Sequence, residues 1–214
     1  MSLRSKIFRR VARAFFHPRG LSGSIAGRIM GHRSSNVRRN RWAVDLLDVG
    51  PADQVLEIGF GPGVAIAELA ERVTAGRVVG VDPSPVMLRQ ARQRNGAAIR
   101  AGLVELRRAP VEDLPDDLGG PFDKLLAVNT VGVWHDPAAR LADLSGRMRH
   151  GGRAALVSQP RCRGATAETT AAAGRQLAGY LREAGFSDLH SETLDLRPPA
   201  VCVLGSAPNG ATSR

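Results

Sequence analysis

The chain has 214 residues, 43% of them hydrophobic, enough for one sizeable core and short for two full domains. Its formal net charge is +10, and no run approaches the roughly 18 apolar residues that a membrane span requires. Cys162 and Cys202 lack CxxC spacing and give no sign of a disulfide framework or a zinc site.

The charge is uneven. Residues 1 to 44 hold eleven Lys or Arg and no acid, whereas residues 45 to 214 hold nineteen basic and twenty acidic residues, a net of −1. The basicity therefore belongs to the N-terminal segment, which begins MSLRSKIFRRVARAFFHPRG. At helical spacing Leu3, Ile7, Phe8, Val11, Ala14 and Phe15 share one side, with Lys6, Arg9, Arg10 and Arg13 opposite. This is a basic amphipathic helix ended near His17-Pro18, since the residue before proline avoids helical geometry. Three uses compete: a lid over the domain that brings Phe15 and Phe16 to a substrate pocket, a peripheral membrane contact through residues 1–18, or a polyanion-binding arm. A mitochondrial import peptide has a similar look, but the Arg- and Ala-rich, Lys-poor composition suggests a GC-rich bacterium. The N-terminus lacks the apolar core and cleavage site of a secretory signal, so a cytoplasmic, membrane-peripheral location is expected.

Residues 20 to 40, GLSGSIAGRIMGHRSSNVRRN, read as a hinge or loose cap. A second helix has Ser34 or Ser35 as N-cap and Val37, Trp42, Val44, Leu46 and Leu47 as apolar positions, up to Gly50-Pro51. The expected organisation is a helical cap over 1–45, a main domain over 46–208 and a tail over 209–214.

From residue 53 the chain alternates strand, turn and helix. QVLEIGF is a buried parallel strand, GPG a turn, and VAIAELAERVTA a helix closed by Gly76. RVVGVDPS is a second strand, followed by the helix PVMLRQARQRNGA. LVELRRA, FDKLLAVNTVG and GRAALVSQP are the third, fourth and fifth strands, with the helix HDPAARLADLSGRMRH between the last two. After the helix TTAAAGRQLAGYLREAG, the runs LHSETLDL and AVCVLGSAP form a terminal antiparallel pair. The fold class is α/β: a doubly wound, mostly parallel seven-stranded sheet with an antiparallel last strand, helices on both faces and an N-terminal helical cap.

Gly59, Gly61 and Gly63 stand at the carboxyl end of the first strand, where doubly wound sheets bind ligands and bare backbone lets them approach. The pattern is GxGxG, with Val64 where a dinucleotide-binding turn has its last glycine. Glu57, two residues earlier, would repel a pyrophosphate and suits a ligand with positive charge. Asp82, 23 residues after Gly59, can accept hydrogen bonds from both hydroxyls of a ribose. A nucleoside with a cationic or zwitterionic tail satisfies both, and S-adenosylmethionine (SAM) has this composition. The bland readings are a solvated strand-end acid for Glu57 and a helix N-cap for Asp82.

From about Asn40 to Ser158 the sequence resembles the class I SAM-dependent methyltransferases. VLEIGFGPG resembles the first motif, which implies Glu57 near the methionine end and Gly59, Phe60, Gly61 and Gly63 beneath the cofactor. VVGVDPSPVML resembles the second, with Asp82 on the ribose and Pro83 beside it. APVEDLP resembles the third; Pro110 replaces the usual Asp, so the adenine contact falls to Val111 or Glu112. FDKLLAVNTVGVWHD resembles the fourth and implies Asn129 near the reacting methyl, and RHGGRAALV resembles the turn into the fifth strand.

The resemblance implies transfer of a methyl group from SAM, leaving S-adenosylhomocysteine (SAH), without a metal. An amine acceptor needs only to arrive unprotonated, whereas a hydroxyl needs a base, for which His135 and Asp136 are the candidates. The remaining histidines lack metal-ligand spacing. Trp134 is assigned to the substrate pocket, with sheet-edge cover as the alternative. Nucleic acid is the disfavoured partner, because Asn129-Thr130-Val131-Gly132 stands where exocyclic amine enzymes carry an Asn/Asp-Pro-Pro-aromatic turn. The expected acceptor is a small molecule, lipophilic or membrane-associated. RNA or protein methylation and non-catalytic SAM binding are the alternatives, and the sequence is silent on oligomeric state.

Overall fold

The computed structural model describes residues 34–208. The expected basic helix, with Phe15 and Phe16, and the tail lie outside these residues. Within them a seven-stranded sheet has the order β3-β2-β1-β4-β5-β7-β6. The strands are β1 (Gln54–Ile58), β2 (Arg77–Val81), β3 (Val104–Arg107), β4 (Phe122–Val128), β5 (Met148–Ser158), β6 (Ser187–Leu194) and β7 (Ala200–Ser206). The helices are α1 (Ser34–Leu47), α2 (Val64–Ala70), α3 (Pro85–Arg94), α4 (Gly96–Arg100), α5 (Pro137–Ser145) and α6 (Ala167–Glu183). The first five strands pair in parallel, and β7 is antiparallel to both β5 and β6. Only residues 195–199 join β6 to β7. A connection that short makes a hairpin rather than a crossover, as the sequence led us to expect.

Alternation along each strand builds two cores. Leu56, Ile58, Val79, Val81, Leu125 and Leu156 face α5 and α6, through Leu141, Leu144, Leu177 and Leu181. Val55, Val78, Leu126, Ala155 and Val157 face the other way, against Ala43, Val44 and Leu47 of α1, Ile66 and Leu69 of α2, and Met87 and Ala91 of α3. Helix α1 thus joins the core of the main sheet and runs through residue 45, where the cap was expected to end.

Several elements differ from their expected extents; the helix expected to run to His150, for one, stops at Ser145. Helix α2 stops at Ala70 instead of residue 75, because the N–H groups of Thr74, Ala75 and Gly76 turn to the Pro51 carbonyl at 2.9, 2.9 and 3.0 Å. Gly76 serves close approach: a Cβ there would stand 2.1 Å from the Asp53 carbonyl oxygen. Helix α3 ends at Arg94, and the chain restarts as α4 after Asn95, whose buried side-chain amide donates to the Ala91 and Gly63 carbonyls at 2.9 and 3.1 Å. Strand β5 begins four residues early, at Met148, pairing with Phe122 across a register shift.

Candidate active site

The strand order reverses between β1 and β4, and the crevice at their carboxyl ends is where such sheets take ligands. The glycine turn lies there. Gly59, Gly61 and Gly63 have φ of 79°, 52° and 77°, a left-handed conformation that favours glycine. The Gly59 N–H continues the ladder to the Val81 carbonyl at 2.7 Å, and the Gly63 N–H closes the turn on the Phe60 carbonyl at 3.0 Å.

The three glycines have different tasks. A Cβ on Gly59 would lie 2.5 Å from Thr130 Oγ1, and one on Gly63 would lie 2.6 Å from Asn95 Nδ2 and 2.8 Å from Ala91 Cβ. Both are required by packing. A Cβ on Gly61 would meet nothing within 4 Å, so its backbone borders open space. Gly59→Ala is therefore expected to cost roughly 2–3 kcal/mol, from backbone strain plus the clash with Thr130. Gly61→Ala carries only the strain of about 1–2 kcal/mol and should act mainly on ligand affinity. Urea unfolding of both variants checks this; equal losses of stability would remove the distinction.

Two carboxyl groups flank the turn. Asp82, 7% exposed, accepts the Gly61 N–H at 2.9 Å on one oxygen and the Ser84 N–H at 2.8 Å on the other, pinning the turn to the end of β2. The N-cap of α3 is Ser84, whose Oγ accepts the Met87 N–H, so the capping alternative for Asp82 does not hold. Glu57 sits mid-sheet between Gly80 and Leu126 and is 1% exposed. Its Oε2 has no hydrogen-bond partner. Burial, and then the Asp82 charge, push its carboxyl up to about 8. A buried carboxyl with an unpartnered oxygen, beside an open backbone turn, suits a ligand that brings donors and positive charge. This is what a nucleoside with a cationic amino-acid tail offers, so the residues fit SAM.

Asn129 follows β4 with φ of 57°. Its Oδ1 accepts the Gln159 N–H at 2.6 Å, and its buried Nδ2 has no partner. The exposed Glu112 carboxylate accepts the His135 N–H at 3.1 Å, joining the loops after β3 and β4. Val111 is half-buried and packs against the core, and Pro83 is half-buried beside Asp82. The Phe60 ring packs in the core, close to the backbone of Gly80, so what it offers the turn is its backbone. Trp134 is 6% exposed within the core on the α5–α6 face, its indole N–H donating to Thr130 Oγ1 at 3.2 Å. His135 and Asp136 are exposed. Asp136 caps α5, accepting the Ala139 N–H at 3.2 Å.

Four residues at this end of the sheet escaped the sequence reading. The buried stripe of α1 is Asn36, Arg39, Asn40, Ala43, Val44 and Leu47, so its first half is polar. Arg39 Nη1 donates to Gln159 Oε1 at 2.5 Å, just past β5. The signal was the i, i+3, i+4 spacing of Asn36, Arg39 and Asn40 in line with the apolar stripe. A separate groove of about 550 Å³, lined by Asp53, Lys124, Arg149, Asp188 and His190, lies at the amino ends of β1 and β4, remote from the glycine turn. Among the described residues, no cluster of His, Cys, Asp or Glu could hold a metal ion.

Comparison with known proteins agrees with this geometry. The family described as "Methyltransferase domain" matches residues 55–152, and protein-L-isoaspartate(D-aspartate) O-methyltransferase matches residues 7–102. The uncharacterized methyltransferase YdaC of Bacillus subtilis is 31% identical over 186 residues, covering 86% of this chain and 98% of its own length. A trans-aconitate 2-methyltransferase of an Azoarcus species is 39% identical over 122 residues, 55% of this chain and 45% of that protein. Among solved structures, the N-methyltransferase NodS of Bradyrhizobium japonicum, in complex with SAH, superposes with a TM-score of 0.66 at 16% identity, over 83% of this chain and 90% of that one. A glycine turn flanked by Glu57 and Asp82, at the switch point of a sheet whose last strand is antiparallel, and the full-length similarity to YdaC lead to one conclusion: the chain belongs to the class I SAM-dependent methyltransferases.

Proposed function

We propose that the protein transfers the SAM methyl group to a small organic acceptor bound over the carboxyl ends of β4 and β5. The observation that carries this reading is the buried Glu57 carboxyl, its Oε2 without a partner, beside the open backbone of Gly61. Bound there, SAM supplies a methyl carbon activated by a sulfonium leaving group. The chain's own work is then alignment and exclusion of water. Glu57 holds the cationic amino-acid end, and the glycine turn lies beneath the cofactor. Asp82, with about four acceptor directions on its carboxylate, serves the turn and the ribose hydroxyls together. Val111 and Glu112 border the adenine. Asn129 faces the acceptor side, with Trp134 behind Thr130 as a wall.

His135 is assigned the proton of a hydroxyl acceptor. Its position beside β4 supports this, and its exposure allows a proton to leave to solvent. Asp136 is the second candidate. His135→Ala should lower turnover by roughly 100-fold or more with SAH affinity unchanged. Unaltered turnover would remove the histidine from the mechanism.

The lipophilic or membrane-associated character of the acceptor is carried by the sequence of residues 1–18, where each basic side chain near an anionic bilayer adds roughly 1 kcal/mol. Equal flotation with anionic liposomes of the full chain and of one lacking residues 1–18 would refute it. No helix among the described residues is long and apolar enough to cross a membrane. Incubation with methyl-tritiated SAM and a lysate of the source cells, followed by separation into lipid, small-molecule, RNA and protein fractions, tests the whole reading. Label in a lipid or small-molecule fraction is expected; label in RNA or protein would overturn the acceptor class.

A further inference from the structure

The N-terminal half of α1 carries a buried charge that nothing in the cofactor site uses. Arg39 is 3% exposed, yet its hydrogen-bond partners are neutral oxygens. Nη1 donates to Gln159 Oε1 at 2.5 Å, Nη2 to Asn36 Oδ1, and Nε has no partner. No carboxylate among the described residues pairs with it. Residues 1–33 contain neither Asp nor Glu, so that segment adds only further cations.

The guanidinium is held in place. Asn40 Nδ2 donates to the Asn36 carbonyl at 2.7 Å and to Asn36 Oδ1 at 3.2 Å, fixing the acceptor on one side. On the other, Gln159 Nε2 donates to the Pro198 carbonyl at 2.8 Å, which turns Gln159 Oε1 towards Arg39. The Gln159 N–H in turn reaches Asn129 Oδ1 at 2.6 Å, so Arg39 is linked through one residue to the end of β4. Burial and then the nearby charge of Arg161, in the exposed loop after β5, lower the Arg39 guanidinium to about 9, which leaves it charged at neutral pH.

The fixed, desolvated Arg39 guanidinium, with no counter-ion of its own among the described residues, is costly unless an anion completes it. A guanidinium is also the group best shaped for a carboxylate. The location separates it from the glycine turn: β4 lies between β1 and β5, and two strand spacings amount to about 10 Å. We propose that Arg39, assisted by Arg161, forms a subsite for a carboxylate of the methyl acceptor at the carboxyl ends of β4 and β5. The inference rests on the methyl-transfer reading above and narrows its acceptor to a small organic acid.

The test titrates the full chain, loaded with SAH, with benzoate and with benzamide, which share a shape and differ in charge. Benzoate should bind at least tenfold more tightly than benzamide and lose at least tenfold in Arg39→Gln. Arg161→Gln, a change at an exposed residue, should lose three- to tenfold. SAH affinity should stay within threefold of the unaltered chain in both variants. Equal or absent binding of the two probes, or full benzoate affinity in either variant, would overturn the subsite. A tenfold fall in SAH affinity in Arg39→Gln would overturn it too, by giving the guanidinium to the cofactor's own carboxylate. Failure of the unaltered chain to bind SAH would instead sink the methyl-transfer reading, so the two failures are distinct.

Discussion

Asp82→Ala is expected to weaken SAH binding by at least about 100-fold and to lower unfolding stability by roughly 2–4 kcal/mol. Two backbone donors depend on this carboxylate: the Gly61 N–H at 2.9 Å and the Ser84 N–H at 2.8 Å. Charge-assisted bonds of this kind are worth about 1.5–3 kcal/mol each, and at 7% exposure water replaces the lost acceptor poorly. The two donors also belong to different machinery. Gly61 lies at the centre of the turn, and Ser84 starts α3, so one deletion loosens the cofactor loop and the helix behind it. Asp82→Asn keeps one acceptor oxygen but turns an amide N–H₂ towards the other donor, and should retain about half of the stability while losing most of the affinity. Calorimetric titration with SAH and urea unfolding measure the two effects. Undiminished SAH affinity in the alanine variant would leave Asp82 with a purely structural role.

Glu57→Gln separates charge from shape, and here pH is the informative axis. The folded carboxyl titrates near 8, against an ordinary value of 4.5, because burial and the Asp82 charge disfavour the anion. Between these values the folded ligand-free protein holds a proton that the unfolded chain releases. Stability from this group is therefore full below pH 4.5, falls as pH rises towards 8, and levels off above it. The glutamine variant should lack that decline and be at least as stable at pH 7.5. Cofactor affinity moves the other way. A cationic amino-acid end favours the carboxylate, so binding to the native chain should release a proton from Glu57. Glutamine cannot supply that charge and should bind SAM about 10- to 100-fold more weakly. Calorimetry in two buffers of different ionisation enthalpy gives the protons released. No difference between native chain and variant at pH 7 would mean that Glu57 does not meet the cationic end.

Much of the architecture was legible because its signals are local. The run QVLEIGF is apolar on both sides of one acid, as a strand covered on both faces must be. Only Arg197-Pro198-Pro199 separate the runs LHSETLDL and AVCVLGSAP, too few residues for a crossover, which makes the terminal pair antiparallel. What misled was local as well. Gly76 looked like a helix C-cap, yet the chain there folds against Asp53, a contact only the tertiary structure brings about. The pattern PVMLRQARQRNGA reads as one helix through Asn95, although the Asn95 amide ties the end of α3 to the Gly63 carbonyl of a different loop. Of the apolar positions of α1, Val44 and Leu47 are buried as expected, whereas Val37, Trp42 and Leu46 are only half-buried. The buried stripe continues from Val44 and Ala43 back through Asn40, Arg39 and Asn36.

By itself the sequence determined the α/β class, the glycine turn with its two acids, and the near-neutral main domain beside a basic N-terminus, because strand periodicity, turn chemistry and charge are properties of neighbours along the chain. Only the tertiary structure decided how the three glycines divide between packing and ligand, that Asp82 grips the turn it borders, and that Arg39, Gln159 and Asn129 meet at the ends of β4 and β5. Those contacts join residues up to 120 positions apart, and whether a polar side chain on a helix faces water or a buried cleft depends on what the sheet brings against it.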